Sequence, residues 1–456
     1  MKQTAFLIFL YLMLPYAVFL LYLNSPAAIA GLIFLTGLAY SFRSSIRIPD
    51  FRRINTARRE LLLVVVFSLL IFILLGGLPQ FIGYEPFDWE KHNTVLSDLV
   101  RNSWPVVYES GKSLNYYLGF YLIPALAGKA AGSYEVAKLA LSLWSMAGFV
   151  LMTGAVWLLQ RRKLTGGQSM LGMAFLLLYS GIDWLVWLVS RGSLPPLRRH
   201  IEWSYTNLID GVWTGFFQYG ASITLLVYVP QHVYPALMGV FILSVYPRLT
   251  ALLLPAVVLW SPFAAAGLVI IVAVRYLAKA RQGADLRFLL LAGAGILPVG
   301  YMLLHHATVD RTILVSSELL LYIVFIAAEL LLLLVVAGTA LKHLSKTDRY
   351  VLIALCLLLA VVPLFRIGTG GANDILIRTV LPVYCYVLLM SLPYLKNASK
   401  PVLAAVVLLW LAGLVTPLYE LLRIHPGREL REPAPSITEI TGDETIHDQY
   451  LGRPWD

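Results

Sequence analysis

Charge is scarce in this chain. Only 13% of its 456 residues are Asp, Glu, Lys or Arg, 59% are hydrophobic, and mean hydropathy is +0.77. That balance excludes a single water-soluble core, which needs a charged surface around it. Cysteine is scarcer still. Cys356 and Cys385 both lie in apolar segments, which excludes a disulfide framework and a cysteine metal site. Acids are fewer than bases, 25 against 35, giving a net charge of +10. In a soluble protein this excess would suggest nucleic acid. Here the bases cluster in short loops between apolar runs, so topology accounts for them and no nucleic-acid partner is expected. No small-residue cleavage site follows the apolar run in Met1–Leu23, so it reads as a first span rather than a signal peptide. No soluble domain, internal repeat or inverted repeat of the transporter kind is visible.

What the chain does have is long apolar runs, such as Ala5–Leu23, Leu61–Leu78 and Ile313–Leu341. A span needs roughly 20 apolar residues, and the hydrocarbon core demands that each span satisfy its own backbone hydrogen bonds. The expected fold is therefore an all-α polytopic membrane protein of about 13 helices. Approximate spans are 4–23, 27–42, 61–78, 134–159, 169–189, 219–246, 249–260, 263–274, 288–304, 313–341, 351–365, 379–395 and 401–422. Residues 1–422 form one transmembrane domain, and 423–456 form a short polar tail outside the cytoplasm, expected to lie over the outward loops. The basic loops Arg43–Arg59, Arg161–Lys163, Arg275–Arg287, Lys342–Arg349 and Lys396–Lys400 then fall inside, with the N-terminus, in a cytoplasmic (inner) membrane. One segment decides this register. Reading Tyr116–Gly132 as a span would turn every later basic loop outward. It is read instead as an interfacial helix on the outer surface, within an outward loop of two surface helices over 79–133.

The outward loops hold most of the unusual polar residues. Arg191, Arg198, Arg199, Arg366 and Arg378 stand where the positive-inside rule disfavours them, and an anionic ligand would explain that. Lipid headgroups at the interface are the plainer explanation of any one of them. Phe87 to Gly111 opens with Asp88, Glu90, Lys91 and His92. Its helical pattern puts Trp89, His92, Leu96, Leu99 and Val100 on one face and Lys91, Thr94, Asp98 and Arg101 on the other. Asp88 and His92, spaced i, i+4, can share a site, as a general base or half of a metal site. A capping role for Asp88, worth about 1 kcal/mol, with Glu90 and Lys91 solvated, is the alternative. Further candidates are Asp183 in "SGIDW", His200 and Glu202 in "RRHIEWSY", and Gln231 and His232 in "VPQHVYP". "RIGTGGANDILIRTVLP" adds a glycine-rich turn followed by Asn373, Asp374 and Arg378, with a structural Asp374–Arg378 ion pair as the alternative. Glu318 and Glu329, eleven residues apart on one helical face, are intramembrane acids that serve either function or packing.

Taken together these stretches resemble the GT-C superfamily of integral-membrane glycosyltransferases, and more narrowly its bacterial membrane-protein branch. The likeness rests on "DWEKHNTVLSDLVRNSWPV", "NYYLGFYLIPALAGKAAG", "SGIDW", "HIEWSY", "VPQHVYPALM", "GGANDILIRTVLP" and "DQYLG", spread over residues 88–452. It implies a polyprenyl-phosphate-linked sugar donor, an acceptor glycan, lipid or protein at the outer face, and inversion at the anomeric carbon. The acid of the first outward loop would be the base, here Asp88 with Glu90 as runner-up. The basic contact to the lipid phosphate has no transferable motif, so Arg378, with Arg366 second, is chosen from loop position. Some relatives use a divalent cation and others do not, which leaves Asp88 and His92 as the metal candidates and no cofactor assigned. Trp89, Trp104, Tyr116, Tyr117 and Trp203 either stack on sugar or form an interfacial belt. Two other classes compete: a transporter or flippase of a lipid-linked or anionic substrate, and a non-catalytic scaffold of the same fold.

Overall fold

The computed structural model describes residues 1–23, 26–45, 58–77, 88–194, 217, 219–278, 286–304, 314–315, 319–366, 373, 375–424, 432–440 and 451–452. His200, Glu202, Trp203, Glu318, Asp374, Arg198 and Arg199 lie outside the described residues, as does the side chain of Arg366. Eighteen α-helices are described. They are α1 (Lys2–Leu23), α2 (Ala27–Ser45), α3 (Arg58–Leu74), α4 (Asp88–Arg101), α5 (Leu122–Ala131), α6 (Tyr134–Arg161), α7 (Gly166–Leu177), α8 (Asp183–Arg191) and α9 (Ser222–Tyr228). They continue as α10 (Pro230–Val245), α11 (Thr250–Trp260), α12 (Pro262–Ala278), α13 (Leu286–Leu304), α14 (Leu319–Ala340), α15 (Lys346–Val361), α16 (Leu381–Ser391), α17 (Lys400–Gly413) and α18 (Val415–Ile424). Two short antiparallel ladders join β1 (Ser113–Leu114) to β4 (Leu451–Gly452) and β2 (Leu314–Val315) to β3 (Phe365–Arg366).

The chain is an all-α membrane protein. Six helical stretches are long and apolar enough to cross a bilayer: Lys2–Leu23, Tyr134–Arg161, Leu319–Ala340, Lys346–Leu364, Leu376–Asn397 and Lys400–Arg423. Large aliphatic side chains such as Leu21, Leu277, Leu304 and Leu320 stand exposed on the helices, more than a water-soluble surface tolerates. Two apolar runs that read as continuous in sequence are broken: residues 178–182 separate α7 from α8, and Val229 separates α9 from α10. Proline helps set two starts. Pro230 and Pro262 open α10 and α12, where the missing N–H would have had no helical partner.

The helices order two ends of the bundle. At one end are the basic loops: Arg161 bridges Glu60 at 3.0 Å, Lys163 donates to Tyr394, and Lys396 donates to the Lys163 carbonyl. At the other end Tyr22, closing α1, donates to the Leu114 carbonyl and accepts from the Val106 N–H. α4 and α5 lie there as well.

The segment after Tyr116 does not cross the bundle as a span, and its first part is more deeply buried than an interfacial position requires, while Leu126 stays exposed. Leu118, Phe120, Tyr121, Leu122 and Ala125 are fully buried, and α5 has only ten residues, about 15 Å, so it packs under α4 and along α6 instead of crossing. Part of the polar face of α4 is covered, while Arg101 stays exposed and Glu90 and Lys91 half-buried. Thr94 and Asp98 are buried because the C-terminal segment lies on them: Ala434 N–H donates to the Thr94 hydroxyl and Ile437 N–H to Asp98 Oδ2. Asp88 is the first residue of α4 rather than its cap.

Candidate functional site

The site builds outward from α4. Trp89 donates its indole N–H to the Val227 carbonyl at 2.8 Å, which fixes α4 against α9. His92, one turn on, is buried and uses both ring nitrogens. Nε2 meets the Tyr228 carbonyl at 3.0 Å, and Nδ1 bonds the Tyr121 hydroxyl. A carbonyl only accepts, so the proton sits on Nε2, and Nδ1 accepts from Tyr121. Burial, opposed by the Tyr228 carbonyl and by Asp88, brings the His92 pKa down to about 4. Asp88 lies at the rim, about a third exposed, in an ion pair with Lys91 at 3.3 Å.

Beneath α4, four segments meet. Tyr116 and Tyr117 precede the 3₁₀ turn Leu118–Phe120, which lies against Trp260 so closely that a Cβ on Gly119 would come within 3.0 Å of that residue's backbone. Gln231 donates from Nε2 to the Tyr116 hydroxyl at 3.4 Å. His232 shares a 2.6 Å hydrogen bond with Ser261, whose Oγ also accepts the Ala264 N–H at the start of α12. The Tyr117 ring meets His232 edge-on, 4.8 Å between centroids. Arg378 donates to the Tyr117 hydroxyl at 3.5 Å and lies 5.5 Å over the Phe263 ring. Arg378 is carried on a π-helical turn, Ile375–Thr379, held tight to α12 at Gly267: a Cβ there would stand 2.1 Å from the Thr379 carbonyl oxygen. Among the described residues, Gln231 Oε1 and His232 Nε2 are buried with no protein hydrogen-bond partner.

A second branch leaves Tyr228. Its hydroxyl accepts from Arg423 at 3.1 Å, and the same Arg423 nitrogen lies 2.9 Å from each Glu420 carboxylate oxygen. One turn before Glu420, Thr416 donates to Asp183 at 3.0 Å. Both charges of the Glu420–Arg423 pair are nearly fully buried.

The structure thus joins Asp88, His92, Gln231, His232 and Arg378 at one end of the bundle. It does not bring Asp183 or Asn373 into that group. Asp183 reaches it only through α18. Asn373 supports the π turn, donating to the Phe365 carbonyl while its own carbonyl accepts from Leu376 and Ile377. Glu90 sits partly exposed on the α4 flank, where its carbonyl accepts from Thr94. Tyr121, Tyr228, Ser261, Phe263, Glu420 and Arg423 were not singled out by the sequence. The i, i+3 pair in "YELLR" was the one local signal available for them. The Asp88–His92 pairing does not fit a metal, because both imidazole nitrogens are engaged by protein and no cluster of three ligating side chains forms among the described residues. What remains is a packed cluster in which a partly exposed carboxylate, tyrosine and phenylalanine rings, a guanidinium and buried polar atoms with capacity to spare stand near one another. That set suits a sugar carrying an anionic group. No family model, curated protein or solved structure matches this chain.

Proposed function

We propose that the chain is a membrane glycosyltransferase of GT-C type, which moves a sugar from a polyprenyl-phosphate donor to an acceptor at the outer face of the cytoplasmic membrane. The observation that carries this reading is that Asp88 and Arg378, 290 positions apart in the chain, both lie near enough to His92 to act on its charge, with Arg378 against the Tyr117 hydroxyl. The helices beside this cluster support a donor presented from the membrane. α10, α11 and α12 have 16, 11 and 17 residues, about 16–26 Å of helix, short of the roughly 30 Å hydrocarbon core. Helices this short suit a site whose donor phosphate lies at headgroup level. The opposite end holds the basic loops, and the positive-inside rule makes it cytoplasmic, with about 13 spans and the N-terminus inside.

In this reading Arg378 holds the lipid phosphate, and Tyr116, Tyr117 and Phe263 flank the sugar. The acceptor hydroxyl gives its proton to Asp88 as its oxygen bonds the anomeric carbon from the face opposite the phosphate. The anomeric C–O bond to phosphate breaks in the same displacement, its electron pair stays on the phosphate, and Arg378 stabilises that charge. Lys91 orients the Asp88 carboxylate. Configuration inverts.

Asp88→Asn keeps the shape and removes the base. Transfer of radiolabelled sugar from membrane lipid should fall at least about a hundredfold, while co-purified donor lipid stays unchanged. Full transfer by Asp88→Asn overturns the assigned base. A second reading, transport of an anionic lipid, draws on the buried Glu420–Arg423 pair beside Asp183, since intramembrane charges mark substrate paths. Translocation that survives Asp88→Asn and fails in Glu420→Gln would favour it.

A further inference from the structure

A cleft of about 340 Å³ opens at the opposite, basic end, between the ends of α6, α10, α12 and α16 and the start of α15. That volume lies in the range of small-molecule sites. Arg162, Lys163 and Arg275 line it, together with Tyr386, Tyr394 and one acid, Asp348. Positive residues at this end are expected from topology alone. Their arrangement is not, because topology requires neither a cavity nor ordered partners.

Arg275 donates from one terminal nitrogen to the Tyr386 hydroxyl at 2.7 Å. Lys163 donates to the Tyr394 hydroxyl at 2.8 Å and lies 4.6 Å over that ring, whose other contact is a flat stack with His343 at 5.5 Å. Each tyrosine oxygen thus accepts from a cation, which leaves its own O–H to give. Arg162, Lys163 and Arg275 pair with no acid among the described residues. Asp348 is turned onto the helix cap: the Ser345 hydroxyl donates to its Oδ2 at 2.8 Å and accepts its N–H at 3.1 Å. The cleft therefore meets the N-terminal, positive end of the 16-residue α15. Three cations, two hydroxyl donors and a helix N-terminus converge with few acceptors.

We infer that this cleft binds a phosphate-bearing anion at the basic end of the bundle, at a site separate from the cluster under α4. The inference does not depend on the glycosyltransferase reading. A soluble phosphate compound and a phosphomonoester lipid headgroup offer the same chemistry, and two probes separate them: inorganic pyrophosphate in water, and phosphatidic acid in phosphatidylcholine nanodiscs.

The full-length protein, in detergent and in such nanodiscs, is titrated with each probe and read by thermal shift and native mass spectrometry. At least one probe should bind. Arg275→Gln and Lys163→Gln should each weaken it about tenfold or more. Asp348→Asn removes the opposing charge and should tighten binding several-fold, a gain that misfolding cannot mimic. Stabilisation by pyrophosphate in detergent identifies a soluble ligand. Retention of phosphatidic acid that pyrophosphate does not displace identifies a headgroup. Binding of neither probe, binding that both Gln variants retain in full, or weaker binding in Asp348→Asn would overturn the inference.

Discussion

His92 illustrates how much its surroundings decide at the residue scale. Its burial keeps it neutral against the pull of the Nε2–H bond to Tyr228, with a pKa near 4 against an ordinary 6.5. Between those values the unfolded chain binds the extra proton, so stability rises with pH across the window and is lost as pH falls through it. The difference amounts to about 3 kcal/mol. The protein in detergent should show a melting temperature that drops from pH 6.5 towards pH 4, and His92→Gln should flatten that slope while lowering stability at pH 7. An unchanged slope in His92→Gln would remove His92 as its source. A neutral, doubly bonded imidazole also reassigns the Asp88–His92 spacing. The i, i+4 pattern puts the two residues on one face of α4, but it could not show that Tyr121 and Tyr228, far off in sequence, engage both ring nitrogens. His92 therefore supports the packing beneath α4, and Asp88, about a third exposed, keeps an accessible carboxylate.

At the scale of elements, α4 is clamped between the bundle and the C-terminal segment. Its helical period was readable from Asp88 to Arg101, and so was the apolar face. The burial of the opposite face was not, because the residues that cover it lie more than 330 positions away. Asp98 Oδ2 accepts from both Tyr108 and Ile437, and burial raises its pKa despite these bonds. Asp98→Ala should free the segment around Ile437, read as faster limited proteolysis of the C-terminus. Asp98→Asn retains an accepting oxygen and should stay protected. Equal protection in both variants would show that the clamp does not depend on this carboxylate. The π turn bearing Arg378 makes a comparable demand on α12. A methyl group at Gly267 cannot coexist with the Thr379 carbonyl at its present distance. Gly267→Ala should therefore displace Arg378 and lower donor binding at least about tenfold with the helices intact by circular dichroism. Wild-type donor binding in Gly267→Ala would separate the turn from the site. Glycine at 267 carried no such signal in sequence, since it sits inside an ordinary apolar helix.

At the scale of the whole molecule, the apolar runs made an all-α membrane protein legible, because a bilayer leaves few other ways to satisfy the backbone. Gln231, His232 and Arg378 were legible as polar residues at the ends of such runs. Their convergence was not. It depends on α10 and α12 starting at Pro230 and Pro262, on Ser261 linking them, and on Tyr116–Phe120 folding inward rather than lying on the surface. Sequence patterns over a few turns do not encode such contacts. The resulting molecule is polarised. One end carries Asp88 and Arg378 among tyrosine side chains, and the other a cationic cleft, joined by helices whose exposed faces are aliphatic.

The central claim is that the Arg378 end holds a lipid-linked phosphate. The most direct test is mass spectrometry of lipids that co-purify with the intact protein beside an Arg378→Ala variant. A polyprenyl phosphate or its sugar ester present with the wild type and depleted in the variant is the predicted result. Bulk phospholipid alone in both preparations would contradict it.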